Sequence, residues 1–388
     1  MINNHSARKK KLMKTIVSNI HSPEISFEDA RFRSDQIQYL DQYFKELISK
    51  EKIQCAAYAI SRKGKLFAAN SFGTSREHGQ FKAFSCQSIR RIASITKLVT
   101  ATAIMQLVEK GLINLTTPVK DILLEFDTKE HESITIFQLL THTSGVLTDP
   151  GNFGEPYPSD LREILHRSKD WITEVLRGPL SSQPGQKWEY CSTGFVLLGE
   201  IIARLSGLSY QKYIHKNILQ PLEMQRTFFT VPEALHEDLC FVSKRDREIF
   251  KLSLGKKANL FAATGDLYST TFDLMNFGQM MLNKGRFKGE LILSRKSIET
   301  ITRVQLPKSK MADGWLSTFN DVGSGITCFI GPIGLLSPQS FFIGGGGISF
   351  LCVDPEEDIV AILFAPSADP LGGSDPFIPL NIVWAGIN

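Results

Sequence analysis

Ser94 and Lys97 stand three residues apart at the head of a long apolar run, RIASITKLVTATAIMQLVEKG (91–111). A spacing of three places both on one helix face, a turn apart. A serine hydroxyl is a weak nucleophile until a base takes its proton. A lysine can be that base where burial and the positive end of a helix dipole disfavour its ammonium form. The same helix end offers backbone N–H groups to an oxyanion. One segment thus carries a nucleophile, a base and part of an oxyanion hole.

The spacing alone is common. Ser6/Lys9, Ser49/Lys52 and Ser253/Lys256 repeat it, and there it reads as a capping serine with a solvated lysine. Only Ser94 and Lys97 open a long run with Ile95, Leu98, Val99, Ile104, Met105, Leu107 and Val108 on more than one face. A helix apolar nearly all round is buried, and Gly111 closes it as a C-terminal cap. Tyr190 is a third candidate. It follows the turn Pro184–Gly185 and precedes another apolar helix, so its phenol could relay a proton. Tyr157-x-Ser159 has the same local spacing as Tyr190-x-Ser192, and an interface tyrosine bonded through its hydroxyl is the other reading of either. Tyr157 lies in a Gly/Pro-rich loop (150–160), a kind of segment that often meets substrate, and is taken as substrate-binding.

The elements that must position these groups follow in order. Residues 34–50 form a helix, with Ile37, Leu40, Tyr43, Phe44 and Leu47 at helical spacing and Ser34 as its N-cap. Residues 55–73 make a hairpin around Arg62–Lys65. After the central helix, Pro118 starts a short helix, 134–146 a longer one stopped by Gly145, and 161–177 another. An apolar helix ends at Gly207, and helical patterns recur at 209–219 and 271–283. From Ser317 the period changes. Residues 326–335, 339–343, 347–353 and 358–365 read as an antiparallel meander, and the C-terminal segment as a helix. The simplest assembly is an α/β (α+β) fold. Its one antiparallel sheet, flanked by helices, is formed by 34–90 and 305–388, and 91–304 is an inserted all-helical region carrying the nucleophile helix. Residues 1–33 are a basic, partly disordered lead-in. The central helix then lies at the seam between sheet and helical region, and ligand sites favour such seams.

The chain has 388 residues, 42% apolar and 22% charged, a globular composition. Its formal net charge of +4 is outweighed by Arg8, Lys9, Lys10, Lys11 and Lys14 alone, so the body is near neutral and nothing points to nucleic acid. No stretch reads as a signal peptide or a membrane span. Six scattered cysteines without a Cys-x-x-Cys read as reduced thiols, and the location expected is cytoplasmic. No His-x-x-x-His pair suggests a metal.

Beyond spacing, the chain resembles the serine β-lactamase-like superfamily: penicillin-binding proteins, class C β-lactamases, D-aminopeptidases, family VIII esterases and related acyltransferases. RIASITKLVTATAIMQLVEKGLINLTTPV is similar to its nucleophile helix and ITIFQLLTHTSG to the following helix and loop. PGQKWEYCSTGFVLLGEIIARLSG is similar to its tyrosine motif, and PLEMQRTFF and ATGDLYSTTFDL to later landmarks. FFIGGGGISFLCVDPEEDIVAILF looks like its third-motif strand and the neighbouring one. The resemblance spans roughly residues 35–365 and implies a β-lactamase/transpeptidase-like fold. It implies Ser94 as nucleophile, Lys97 as its activator and Tyr190 as proton shuttle. It implies an oxyanion hole formed by the backbone N–H groups of Ser94 and of the third-motif strand, here placed at Gly346. Ser192, Ile343, Gly344 and Gly345 fall at substrate-binding positions, and His142 at a structural landmark. No metal or organic cofactor is implied, and the partner is a small-molecule ester, amide or acyl compound.

Two departures bear on the substrate. The tyrosine motif ends in Ser192 where Asn is usual. The third motif reads Ile343-Gly344-Gly345, not Lys-Thr-Gly or His-x-Gly, and no Lys, Arg or His occurs between Gln339 and Asp358. Family VIII esterases show a similar apolar-Gly-Gly form. The expectation is a serine hydrolase of neutral esters or amides working through acyl-Ser94, with acyl transfer to an alcohol or amine as the alternative. β-Lactamase or DD-peptidase activity is disfavoured by the missing cation and export signal, and a silent binding protein by the intact Ser94, Lys97 and Tyr190.

Overall fold

The computed structural model describes residues 19–77, 80–146, 170–177, 179–241, 244–254, 262–307, 321–346, 349–366, 375 and 377–388. Residues 19–25, read as part of the irregular lead-in, run along the hairpin's second strand: the N–H groups of Asn19, His21 and Glu24 donate to the carbonyls of Ser71, Ala69 and Leu66. Helix α1 (Ser34–Ser49) buries Leu40 and Phe44. It has Arg33, not Ser34, at the N-cap, so the serine is its first helical residue.

Strands β1 (Cys55–Arg62) and β2 (Lys65–Glu77) form the expected hairpin. Lys63 and Gly64 turn it with φ of 52° and 75°. Two successive positive φ values suit the twist of a tight hairpin, and glycine takes the second without a Cβ clash. Short β3 (Gln80–Ala83) follows. The late strands are β4 (Gly323–Ser324), β5 (Phe329–Ile330), β6 (Phe341–Gly345), β7 (Ser349–Asp354) and β8 (Ile359–Phe364). All eight make one sheet in the order β3-β2-β1-β8-β7-β6-β5-β4. Its pairs are antiparallel, and β1 meets β8 with Ala57 opposite Phe364 and Arg62 opposite Ile359. Early hairpin and late meander thus join as the period-2 patterns require. The run 326–335 is not one strand: after β5, Gly331-Pro332 and Gly334 turn the chain, both glycines at positive φ.

Alternate residues separate two cores. One sheet face (Ala57, Ala59, Leu351, Val353, Ile362) joins the central helix α2 (Ile95–Glu109) in the larger apolar cluster. The other (Tyr58, Ile60, Phe342, Phe350, Leu363) packs with α1 and a C-terminal helix at Phe377–Trp384. Every residue of α2 from Ile95 to Leu107 is buried, and Gly111 turns the chain with φ of 68°. The helix expected over 134–146 is only α3 (Ile136–Leu140), started by a Thr135/Gln138 capping box. It stops because His142 takes a left-handed φ of 59°, which turns the Thr143 N–H back onto the Gln138 carbonyl. Helix α4 (Ser192–Ser206) ends at Gly207 as expected. Helix α5 (Thr271–Leu282) comes from the region read as a helical block, yet lies on the sheet: a Cβ on Gly278 would sit 2.5 Å from Val360 Cγ1. Among the described residues no helix is long and apolar enough to cross a membrane.

Candidate active site

Ser94 sits at the N-cap of α2, partly exposed. A capping serine would accept a backbone N–H of the first turn. This one makes no such bond and instead accepts from Tyr190 Oη at 2.8 Å. Lys97, a turn further on, is 2% exposed. Its Nζ donates to the Thr264 carbonyl at 2.8 Å and lies 3.5 Å from Ser94 Oγ. It also stands 5.0 Å from the centroid of the Tyr190 ring and 5.7 Å from that of Phe195. The three residues singled out from sequence therefore converge, although Tyr190 is 96 positions from Ser94. A hydroxyl between a phenol and an amine can act as a nucleophile, because both groups stand within reach of its proton.

The turn before Ser94 is held hard. Ala93 has φ of 47°, a left-handed conformation costly for a residue with a Cβ. The Ile92 N–H donates to the Leu267 carbonyl, and the Ala93 carbonyl accepts the Thr96 N–H. Strand β6 presses from the other side. A Cβ on Gly345 would lie 2.2 Å from the Ile92 carbonyl oxygen, so only glycine lets strand and turn approach so closely.

Residues 262–269 form the floor. Thr96 Oγ1 accepts the Leu267 N–H, and Thr100 Oγ1 bonds the Ala263 carbonyl and Tyr210 Oη. Arg90 and Arg91 pair with Ser269 and Tyr268, and Arg91 holds the buried Asp266 carboxylate at 3.0 Å. The sequence reading gives no role to Thr264, Asp266 or Thr100, although Thr264 and Asp266 stand in the landmark ATGDLYSTTFDL. A further signal was the small-residue run Ala262-Ala263-Thr264-Gly265, a composition that permits close backbone approach: a Cβ on Gly199 of α4 would sit 2.8 Å from that of Ala263.

The other expected positions differ among themselves. Ile343 is 3% exposed and belongs to the core cluster of α2, so its side chain fills the space between sheet and helix and offers no surface to a ligand. Gly344 faces Phe350, whose ring would be 3.3 Å from an added Cβ. Gly345 is the last residue of β6, and exposed Gly346 follows with open space around it. Ser192 is buried in the first turn of α4, where Cys191 Sγ rather than a hydroxyl accepts the Gly194 N–H. Tyr157 lies outside the described residues. His142, expected only as a landmark, is buried behind Tyr190 with the two rings stacked. Burial and the nearby Lys97 charge push its pKa down to about 3.

The model of the Beta-lactamase family matches residues 40–376, and the chain belongs to that family. It is thereby one of the serine β-lactamase-like superfamily, whose members are serine hydrolases and acyltransferases. Protein flp of Staphylococcus aureus (strain COL) is 31% identical over 202 residues, 51% of this chain but only 39% of that protein's length. The octameric penicillin-binding protein homologue from Pyrococcus abyssi has 26% identity and a TM-score of 0.67, over 90% of this chain and 76% of its own. EstCE1, described as a hydrolase with promiscuous acyltransferase activity, has a TM-score of 0.74 at 16% identity, over 92% of this chain and 98% of its own.

Proposed function

We propose that this protein hydrolyses neutral carboxylic esters or amides through a covalent acyl-Ser94 intermediate. The observation that carries this is the Ser94 hydroxyl bonded to Tyr190 Oη at 2.8 Å, with Lys97 Nζ on its other side. In the reaction, Ser94 Oγ attacks the acyl carbon and its proton passes to Tyr190 and Lys97. The oxyanion meets the backbone N–H groups of Ser94 and Gly346. Tyr190 returns the proton to the leaving alcohol or amine. Water then enters along the same path and releases the acid.

The preference for uncharged substrates rests on β6. A β-lactam or a D-Ala-D-Ala peptide brings a carboxylate that, away from water, needs a cation or a strong donor. Ile343 is apolar and buried, Gly344 and Gly345 have no side chain, and Arg91 is engaged by Asp266. A charge-assisted hydrogen bond is worth about 1.5–3 kcal/mol, so losing one costs about 10- to 150-fold. Neutral esters lose nothing by the same changes. Steady-state kinetics on p-nitrophenyl esters of graded acyl length and on nitrocefin test this. The short to medium esters should lead in kcat/KM by at least about 100-fold. Comparable efficiency on nitrocefin would overturn the substrate class. The same ester assay with an added alcohol separates hydrolysis from acyl transfer: a new ester in place of the acid would make the protein an acyltransferase.

A further inference from the structure

His142 is fastened to the tyrosine segment more closely than packing alone requires. Its main-chain carbonyl accepts the Glu189 N–H at 2.8 Å, and its ring Nδ1 accepts the Cys191 N–H at 3.0 Å. Tyr190 is the residue between these two bonds. Its ring lies on the imidazole with centroids 4.6 Å apart and planes 28° from parallel. One residue thus holds the backbone on both sides of Tyr190 and one face of its ring.

The imidazole is itself fixed. Trp188 meets it edge-on at 6.1 Å, and Phe195 lies tilted against it at 5.3 Å. The left-handed backbone at His142, a conformation that His and Asn take more readily than most residues, ends α3 and lets carbonyl and ring serve the same neighbouring segment. A bond accepted at Nδ1 requires a lone pair there, so the neutral ring carries its proton on Nε2. With its pKa near 3, His142 keeps that lone pair at any ordinary working pH.

We propose that His142 is a positioning residue for Tyr190, holding the phenol in line with Ser94 by gripping its backbone on both sides and its ring on one face. The proposal rests on the reading of Ser94 as nucleophile and goes beyond it by giving the histidine a defined task. A phenol that swings by about 1 Å loses its line to the hydroxyl, a displacement that can cost about 100-fold in rate. A histidine that merely filled space would act independently of the Tyr190 hydroxyl.

The test uses the full chain and two readouts: the rate of fluorophosphonate labelling at Ser94, and kcat and KM for p-nitrophenyl butyrate. His142→Asn keeps a residue suited to the left-handed backbone and removes the ring. His142→Phe keeps a ring and removes Nδ1. Each should label and turn over about 10- to 100-fold more slowly with KM within about twofold. Thermal melting identifies the folded variants, and His142→Asn carries the test where His142→Phe does not fold. In a Tyr190→Phe background, where no hydroxyl remains to be aimed, the same substitution should cost less than about twofold. Full activity in the folded single variants, or equal losses with and without the Tyr190 hydroxyl, would overturn the positioning role. Absence of labelling at Ser94 in the unaltered chain would instead overturn the nucleophile reading, and this inference with it.

Discussion

On one side of Ser94 stand side chains. Tyr190 donates to its oxygen, Lys97 lies a turn below, and His142 backs the tyrosine. On the other side β6 brings backbone alone: Ile343 is sunk in the core, and Gly344, Gly345 and Gly346 present no side chain. The two walls meet at the strained Ala93. Their difference separates two tasks. In the proposed reaction the wall of side chains holds the groups that would move protons, each fixed by at least one further contact. The bare wall sets how close the strand comes, so on the proposed reading its influence would fall on substrate choice and oxyanion geometry.

The sharpest way to break the comparison is to empty the first wall of its proposed nucleophile. Ser94→Ala should lower ester turnover by at least about 1,000-fold while circular dichroism stays unchanged, because no other hydroxyl replaces the covalent handle. A variant retaining more than a few per cent of activity would remove Ser94 from the reaction.

The second wall should answer to bulk rather than to chemistry. Gly345→Ala drives a Cβ to 2.2 Å from the Ile92 carbonyl oxygen, so strand or nucleophile turn must move. We expect a loss of kcat of about 100-fold. Gly346→Ala, with open space around it and its N–H kept, should lose far less. Equal losses would mean that the close approach at Gly345 does not set the geometry.

A smaller effect reports on the charge state behind the first wall. His142 titrates near 3 in the folded chain and near the ordinary 6.5 when unfolded. The unfolded chain therefore takes up the proton first as pH falls. The stabilisation is whole above about 6.5 and is lost toward pH 3, at up to about 1.4 kcal/mol per pH unit. Urea unfolding of the parent chain against His142→Asn over this window should show the shallower slope in the variant. A parent slope no steeper than the variant's would mean that the buried ring carries its proton.

The smallest effect lies where the walls meet. Ala93→Gly removes a Cβ from a left-handed residue and should stabilise the chain by about 0.5–1 kcal/mol in urea unfolding. Destabilisation would show that the methyl group's contacts outweigh the strain.

Much of this was legible in the chain because it depends on local pattern. The all-round apolar run after Ser94 dictates a buried helix, the Lys63-Gly64 turn a hairpin, and the alternating late segments the strands that accept it. The three candidate residues that converge could be chosen because Ser94 and Lys97 share a helix turn and Tyr190 stands in a recognisable motif. Other features depend on groups distant in the chain and could only be decided by tertiary structure. Ile343 alternates like a strand residue whichever face is covered, and only the packing of α2 against that face buries it. The Thr264 carbonyl has no sequence signature as a lysine partner, since every residue has a carbonyl. The stop of α3 after Leu140 arises from the left-handed turn at His142, which a run of ample apolar content does not announce. The hold of His142 on Tyr190 joins residues 48 positions apart. Sequence by itself determined which groups are available and which elements carry them. Tertiary structure decided which of them touch, because contact depends on the path of the whole chain and not on any one segment's preferences.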